Sequence, residues 1–491
     1  MLTWRFSLIF VAILVWGQVS ACLATDFVLE QLSNINVDGD SVQGNAFMTE
    51  FNNDLYFRAT GPAGLELYRT DGQSIELVAD INPAGDSSPY DLAEFNNHLY
   101  FGAQGESGFE LYRTDGTTTS LFANLDGTAS DSIPRGMIVY DDHLWFSAQG
   151  DSGNRLYRSD GQTTEAMFDV APTGGLPGDF VIFKDELYFS ADGKYGVELY
   201  KTDGTDLTLL GDINPNGNAS PDWLTPFGDQ LVFNARSGLG TELYATDGET
   251  IEFVANLSSQ GDSLPNSFTE FNGDLYFGAR SAVGTEVLKY DGDRVTVLAD
   301  LDPSTEENQN FPREFAAIGD ELFFSAVNSD GVLVPYRTDG DLVTPLGDDN
   351  TVNVGYQYTA LGDSIIFGAN NVETGFELYE FDGTSINLIE DILPGNANSL
   401  PDNLTIYDGD LIFSASGEDG SELYRLSLVS SGQGEPSFED FLAGTANLGL
   451  AGGAISAPAV PEVQSGSLLI IGLIMLAMRC RRGGRHTVAH S

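Results

Sequence analysis

Apolar residues in this chain come in short blocks, such as Leu99-Tyr100-Phe101 and Leu121-Phe122, divided by clusters of Gly, Asp, Asn and Pro. The repeating part sustains no helical spacing, which sets aside arrays of helix pairs. Instead, four strand-like runs recur, clearest from Tyr90 to Leu125: DLAEF, HLYFGAQ, FELYRTDG and TSLFANL. Adjacent positions within a run are apolar, so both faces of each strand require cover. Blades stacked face to face provide it.

An Asp-Gly pair marks each beat. Asp71-Gly72, Asp115-Gly116, Asp160-Gly161, Asp203-Gly204, Asp247-Gly248, Asp291-Gly292, Asp339-Gly340 and Asp382-Gly383 recur at intervals of 43 to 48 residues. That period with four short strands per unit predicts an all-β fold, a β-propeller of about nine four-stranded repeats of ~44 residues. The first strands end at Phe51, Phe95, Tyr140, Phe183, Phe227, Phe271, Ile318, Leu361 and Tyr407. An eight-bladed ring plus one irregular module is the alternative, the suspect being 311–348 with Pro335 inside its third strand. The last module lacks its Asp-Gly and fourth strand, while the body begins with an orphan strand, Val28 to Leu32. Pairing of 28–32 with Leu423 to Leu428 is expected to close the ring and leave few free strand edges.

Short turns divide from long ones. Asn52-Asn53, Asn96-Asn97 and the Asp-Gly hairpins belong to one face. Second-to-third links such as Gln104 to Gly108, and longer blade-to-blade links such as Asn82 to Pro89, belong to the other, where binding is expected because variable loops sit there on a rigid scaffold.

Composition changes the picture of partners. With 73 acidic and 21 basic side chains the formal charge is −52, which repels nucleic acid and anionic membrane surfaces. The two cysteines, Cys22 and Cys480, lie in the terminal segments, so the repeats hold no disulfide. The blade-linking loops carry Asp38, Asp40, Asp80, Asp86, Asp212, Asp262 and Asp300. Turn formation through side-chain to backbone hydrogen bonds is their first reading and calcium coordination their second; no other cofactor is implied. His98 and His143 share one position in adjacent modules and read as a variable turn site rather than a metal pair. Tyr68, Tyr112, Tyr157, Tyr200 and Tyr244 read as packing between blades rather than a sugar-stacking platform. No nucleophile elbow, zinc-ligand spacing or phosphate loop occurs, so no catalytic residue is assigned.

The ends carry an address. Residues 1–26 look like an export signal: Arg5, an apolar run from Phe6 to Trp16, then small residues. Val19-Ser20-Ala21-Cys22 also resembles a lipobox, with Cys22 the site of lipidation. Residues 430–459, rich in Gly, Ala and Ser, read as a flexible tether. Within 460–491 stand Val460-Pro461-Glu462, the short apolar run GSLLIIGLIMLAM, and Arg479, Arg481 and Arg482. This order resembles the PEP-CTERM sorting signal of Gram-negative-type bacteria, which implies handling by an exosortase and transient or permanent membrane anchoring. A plain C-terminal anchor is the alternative. The repeats, from Phe27 to Val429, resemble ELYxTDGT-type (ELWxSDGT-like) repeats of bacterial secreted and surface proteins. That likeness implies a propeller outside the cytoplasm and brings no enzymatic residues. The functional expectation is a non-enzymatic binding or scaffold protein of the envelope or exopolysaccharide matrix, with polysaccharide or a surface protein as partner. A propeller-fold carbohydrate-active enzyme, hydrolase or lyase, is the alternative, and a purely structural envelope component the third reading.

Overall fold

Each module folds as one antiparallel four-stranded sheet. The second contains Tyr90–Phe95, His98–Gly105, Gly108–Thr114 and Thr119–Ala123, joined in sequence order. The computed structural model describes residues 27–150, 153–168, 177–258, 261–301, 312–347 and 352–429. The export signal, Cys22, the Gly-rich tether and the sorting motif (Val460, Pro461, Glu462, Arg479, Arg481, Arg482) lie outside the described residues. Among the described residues there are 36 strands in nine four-stranded sheets and no helix long and apolar enough to cross a membrane.

The architecture is a nine-bladed propeller. First strands of successive blades lie beside one another at the centre, and fourth strands form the outer rim. The double-faced apolar runs do what their pattern requires. Leu99 and Phe101 pack with Phe51 and Tyr56 of the preceding blade, while Tyr100 between them packs with Leu144 and Phe146 of the following one.

The orphan N-terminal strand is Phe27–Gln31, one residue ahead of its expected bounds. It takes the fourth place in the last sheet, in register from Phe27 opposite Leu428 to Gln31 opposite Tyr424. First and last blades also touch: Leu55, Phe57 and Tyr68 share a buried cluster with Tyr407, Ile412 and Leu423. The module containing Pro335 is regular rather than irregular. Pro335 stands opposite Ser325 inside Leu333–Thr338, and its carbonyl accepts the Leu346 N–H at 3.0 Å.

One expectation about the loops needs correction. Most second-to-third links are two-residue hairpins, not long loops: one strand runs to Gly105 and the next starts at Gly108, leaving Glu106-Ser107 between, while the links at 328–332 and 372–374 have five and three residues. Two glycines make this tight. A methyl group on Gly105 would overlap the Tyr112 hydroxyl, and Gly108 holds a φ of 97°.

Candidate functional site

The conspicuous repeat residues are consumed by the scaffold. Asp71 Oδ1 accepts the N–H groups of Gln73 and Ser74 at 2.9 and 2.8 Å, and these bonds hold its carboxyl below the ordinary range. The tyrosines stack on the preceding strand as expected of packing residues, Tyr112 on Phe101 at 6.3 Å and Tyr157 on Phe146 at 5.7 Å. In four blades the arginine of the third strand reaches the next blade's turn. Arg69 donates to the Gly116 carbonyl at 3.0 Å, Arg113 to Gly161 at 2.8 Å, Arg158 to Gly204 at 2.9 Å, and Arg425 of blade 9 to Gly72 of blade 1 at 2.7 Å.

The glutamate of ELY has a role that sequence reasoning missed. Glu66, Glu110, Glu198, Glu242, Glu377 and Glu422 are all fully buried. Each fastens the link that leaves its blade. Glu377 accepts the Ile392 N–H at 3.1 Å and the Ser399 hydroxyl at 2.6 Å; Glu198 accepts the Ile213 N–H at 2.9 Å. Glu422 takes the Ser33 and Ser41 hydroxyls, both at 2.7 Å, from the N-terminal segment. Burial raises the pKa of all six, and Glu110, whose Oε1 has no hydrogen-bond partner, is pushed up to about 7. The signal was the strict column of Glu beside Leu and Tyr, broken by Arg155 and Val334.

The loop aspartates behave as backbone partners at three positions. Asp40 Oδ1 accepts the Ser421 N–H at 2.7 Å, Asp86 Oδ1 the Leu65 N–H at 2.9 Å, and Asp262 Oδ1 the Thr241 N–H at 2.8 Å. Each fixes a neighbouring hairpin instead of its own turn. Asp38, Asp80, Asp212 and Asp300 are exposed. Among the described residues no group of three or more His, Cys, Asp or Glu is placed to hold a metal ion. His98 and His143 stand at the position that elsewhere supplies the acid for the third-strand cation, as Glu186 does for Lys201 at 2.8 Å and Asp274 for Lys289 at 2.7 Å. Here their Nδ1 atoms face the Asn96 and Asp141 carbonyls.

The repeat is least faithful where the first strands begin, beside the long links. The strands bulge there, and residues such as Asp91, Asp179, Trp223, Glu314 and Asn403 take φ near +55 to +60°. Some of these side chains clasp the next blade, Asp91 accepting the Gly136 N–H and Asn403 Oδ1 the Ala46 N–H at 2.8 Å. The residue before each bulge shares its layer with a residue of the second strand. The cross-strand pairs include Tyr90 with Gly102, Arg135 with Ser147, Tyr356 with Gly368 and Asp402 with Ser414. In these four pairs the larger side chain comes from the first strand, and a methyl on Gly102 would overlap the Tyr90 ring.

Blade 1 inverts this order. Ala46 lies just ahead of the first strand, Thr49–Phe51, with its carbonyl accepting the Arg58 N–H at 3.0 Å, and the large side chain comes from Arg58 on the second. A pocket of about 490 Å³ opens there across blades 1 to 3, lined by Phe47, Arg58, Tyr90, Phe109, Asp131 and Arg135 among others. The Arg58 guanidinium lies 4.8 Å from the Phe47 ring centroid, and its Nε is buried with no hydrogen-bond partner. Burial lowers its pKa. The ion pairs of the described residues involve neither Arg58 nor Arg135. Tyr90 is raised by burial, opposed by the Arg135 charge, and Asp91 is raised by burial against two backbone donors, Gly136 and Met137. Asp131 Oδ1 is occupied by the Phe109 N–H at 2.9 Å. Such a lining can grip an anionic group and a flat apolar body together.

No protein-family model matches the chain, and no curated protein matches it in sequence. Among solved structures, a chain from a study of two prolyl endopeptidases aligns at TM-score 0.41 and 10% identity, over 69% of this chain and 55% of that one. BamB from Moraxella catarrhalis aligns at TM-score 0.39 and 13% identity, over 82% and 100%, and the designed Ika8 protein at 0.40 and 15%, over 70% and 97%. At these scores and identities none assigns an activity to this propeller.

Proposed function

We propose that this is a non-enzymatic binding or scaffold protein, exported and held at the cell envelope, outer surface or exopolysaccharide matrix of a Gram-negative-type bacterium. The observation that carries the reading is the pocket around Arg58. Residues that break the repeat converge there on the long-link face, and they form a gripping surface rather than an acid–base pair. Most repeated carboxylates are engaged in turns, ion pairs or loop clasps. The terminal segments support the address, with exosortase-type machinery as the sorting partner and Cys22 or the C-terminal segment as the means of anchoring. The formal charge of −52 speaks against nucleic acid as the ligand.

Purified full-length protein screened against polysaccharides and surface-protein extracts, with and without a chelator, tests the reading. Saturable binding without product release is expected. Release of oligosaccharide would replace it with the carbohydrate-active enzyme, and loss of binding on chelation would bring calcium into the site.

A further inference from the structure

We infer that the pocket across blades 1 to 3 is a site for a small organic monoanion, a carboxylate carried on a ring-shaped, weakly polar body, with Arg58 as its anchor. This deepens the proposed binding role and rests on it.

Three observations carry the inference. The first is an arginine out of place. Aligned modules put Gly102, Ser147, Ser190, Asn234, Gly278, Ser325, Gly368 and Ser414 where blade 1 has Arg58. The scaffold therefore works with a small residue at this layer. Arg58 is half-buried with its Nε shut off from water, and a guanidinium so placed without a carboxylate is unfavourable unless something else satisfies it. In a chain with 73 acidic side chains, a nearby acid was the easy remedy. None is paired with it among the described residues.

The second observation is the shape of the lining. Phe47 lies against the guanidinium, which lines the cavity with it, while Tyr90 and Phe109, 6.0 Å apart in ring centroids, form an apolar wall. Arg135 stands across from Arg58 and doubles the positive charge; the facing acids are Asp131, held by the Phe109 N–H, and Asp91, turned to the next strand's backbone. A planar carboxylate suits the arginine fork, and a ring suits the wall.

The third observation is the field of the whole molecule. A formal charge of −52 opposes the approach of a polyanion far more than that of a single charge. The ligand is accordingly one carboxylate on an otherwise neutral body, either free or terminating a neutral chain.

The test uses the full chain in two probe arms, benzoate for an aryl body and glucuronate for a sugar body, each beside its uncharged counterpart, benzamide or glucose. Binding is read by calorimetry and by saturation-transfer NMR. Wild-type protein should bind at least one carboxylate, with its neutral counterpart at least tenfold weaker. Arg58→Ser restores the residue found in four other blades and should fold; it should weaken that binding at least tenfold. Arg135→Gln should weaken it less, and Arg113→Gln, on the opposite face, should leave it unchanged. Absence of binding by either carboxylate to folded wild-type protein overturns the inference, as does equal affinity for a neutral counterpart or undiminished binding by Arg58→Ser. If neither carboxylate binds while the screen still finds a macromolecular ligand, the monoanion site fails and the binding-protein reading stands.

Discussion

The ELY glutamate shows how a repeat residue can look like surface acidity and work as core. Glu110 is fully buried, and its Oε2 receives the Leu125 N–H at 3.3 Å while Oε1 has no partner. Its pKa rises from 4.5 to about 7 because burial penalises the charged form. The folded state therefore binds a proton that the unfolded state has released, so the stabilisation is full below pH 4.5 and is lost as pH rises through about 7. A shift of this size corresponds to about 3 kcal/mol. Glu110→Gln mimics the neutral form and should flatten the fall in melting temperature between pH 5 and 8 without much change at pH 5. A variant that loses stability as steeply as the wild type over that range would show that Glu110 stays ionised and satisfied. At the neighbouring Gly105, Ala should destabilise by about 1 to 3 kcal/mol, since its methyl must displace the Tyr112 hydroxyl. Denaturant titration of the variant reads this directly; no loss would mean that the Tyr112 ring has room to tilt.

At the scale of strands, the N-terminal segment does the work of a missing fourth strand. Phe27 and Leu29 pack against the cluster holding Leu411, Phe413 and Tyr424, and Glu30 pairs with Arg425. Removing residues 27–31 should lower the melting temperature by several degrees and bare the edge of Gly420–Leu428. Dimers or larger species in size-exclusion chromatography are the expected sign, and a monomer of unchanged stability would show that the strand is dispensable. This element was legible in the sequence because two halves of one module stood at opposite ends of the repeats. The blade count was legible too, since Pro335 removes a donor without removing the strand. What could not be read was which repeated residues face one another. The Gly105 and Gly108 hairpin was mistaken for a loop because its tightness depends on a tyrosine hydroxyl seven residues away. Arg58 was visible as the odd member of a Gly, Ser and Asn column, but its meaning depended on the backbone ahead of the first strand, where Ala46 leaves the space that Tyr90 or Arg135 fills elsewhere. Bulges leave no mark in an alternation pattern, and so the pocket escaped notice.

For the whole molecule, two sets of carboxylates pull stability in opposite directions with pH. The exposed aspartates of the Asp-Gly turns, from Asp71 to Asp339, are held below their ordinary pKa of 3.8 by backbone donors, so their contribution is present above that value and is lost as pH falls through the lowered one. The buried glutamates act the other way, losing stability as pH rises above 4.5. Self-repulsion from a formal charge of −52 at pH 7 adds to that second loss. Maximum stability should therefore lie at about pH 4 to 5, below the range of about 5 to 8 common among proteins. Salt separates the two causes of the decline above it. Repulsion among exposed charges is screened over about 3 Å at 1 M salt, whereas the desolvation of a buried glutamate is not. Scans from pH 4 to 8 at low and high salt should show a falling melting temperature that salt restores in part, with a remainder that disappears when several ELY glutamates are changed to glutamine. A melting temperature that rises from pH 5 to 8 would mean that the buried carboxylates are stabilised as anions by the link N–H groups. Full restoration by salt would assign the whole decline to surface charge and leave the glutamates no part in it.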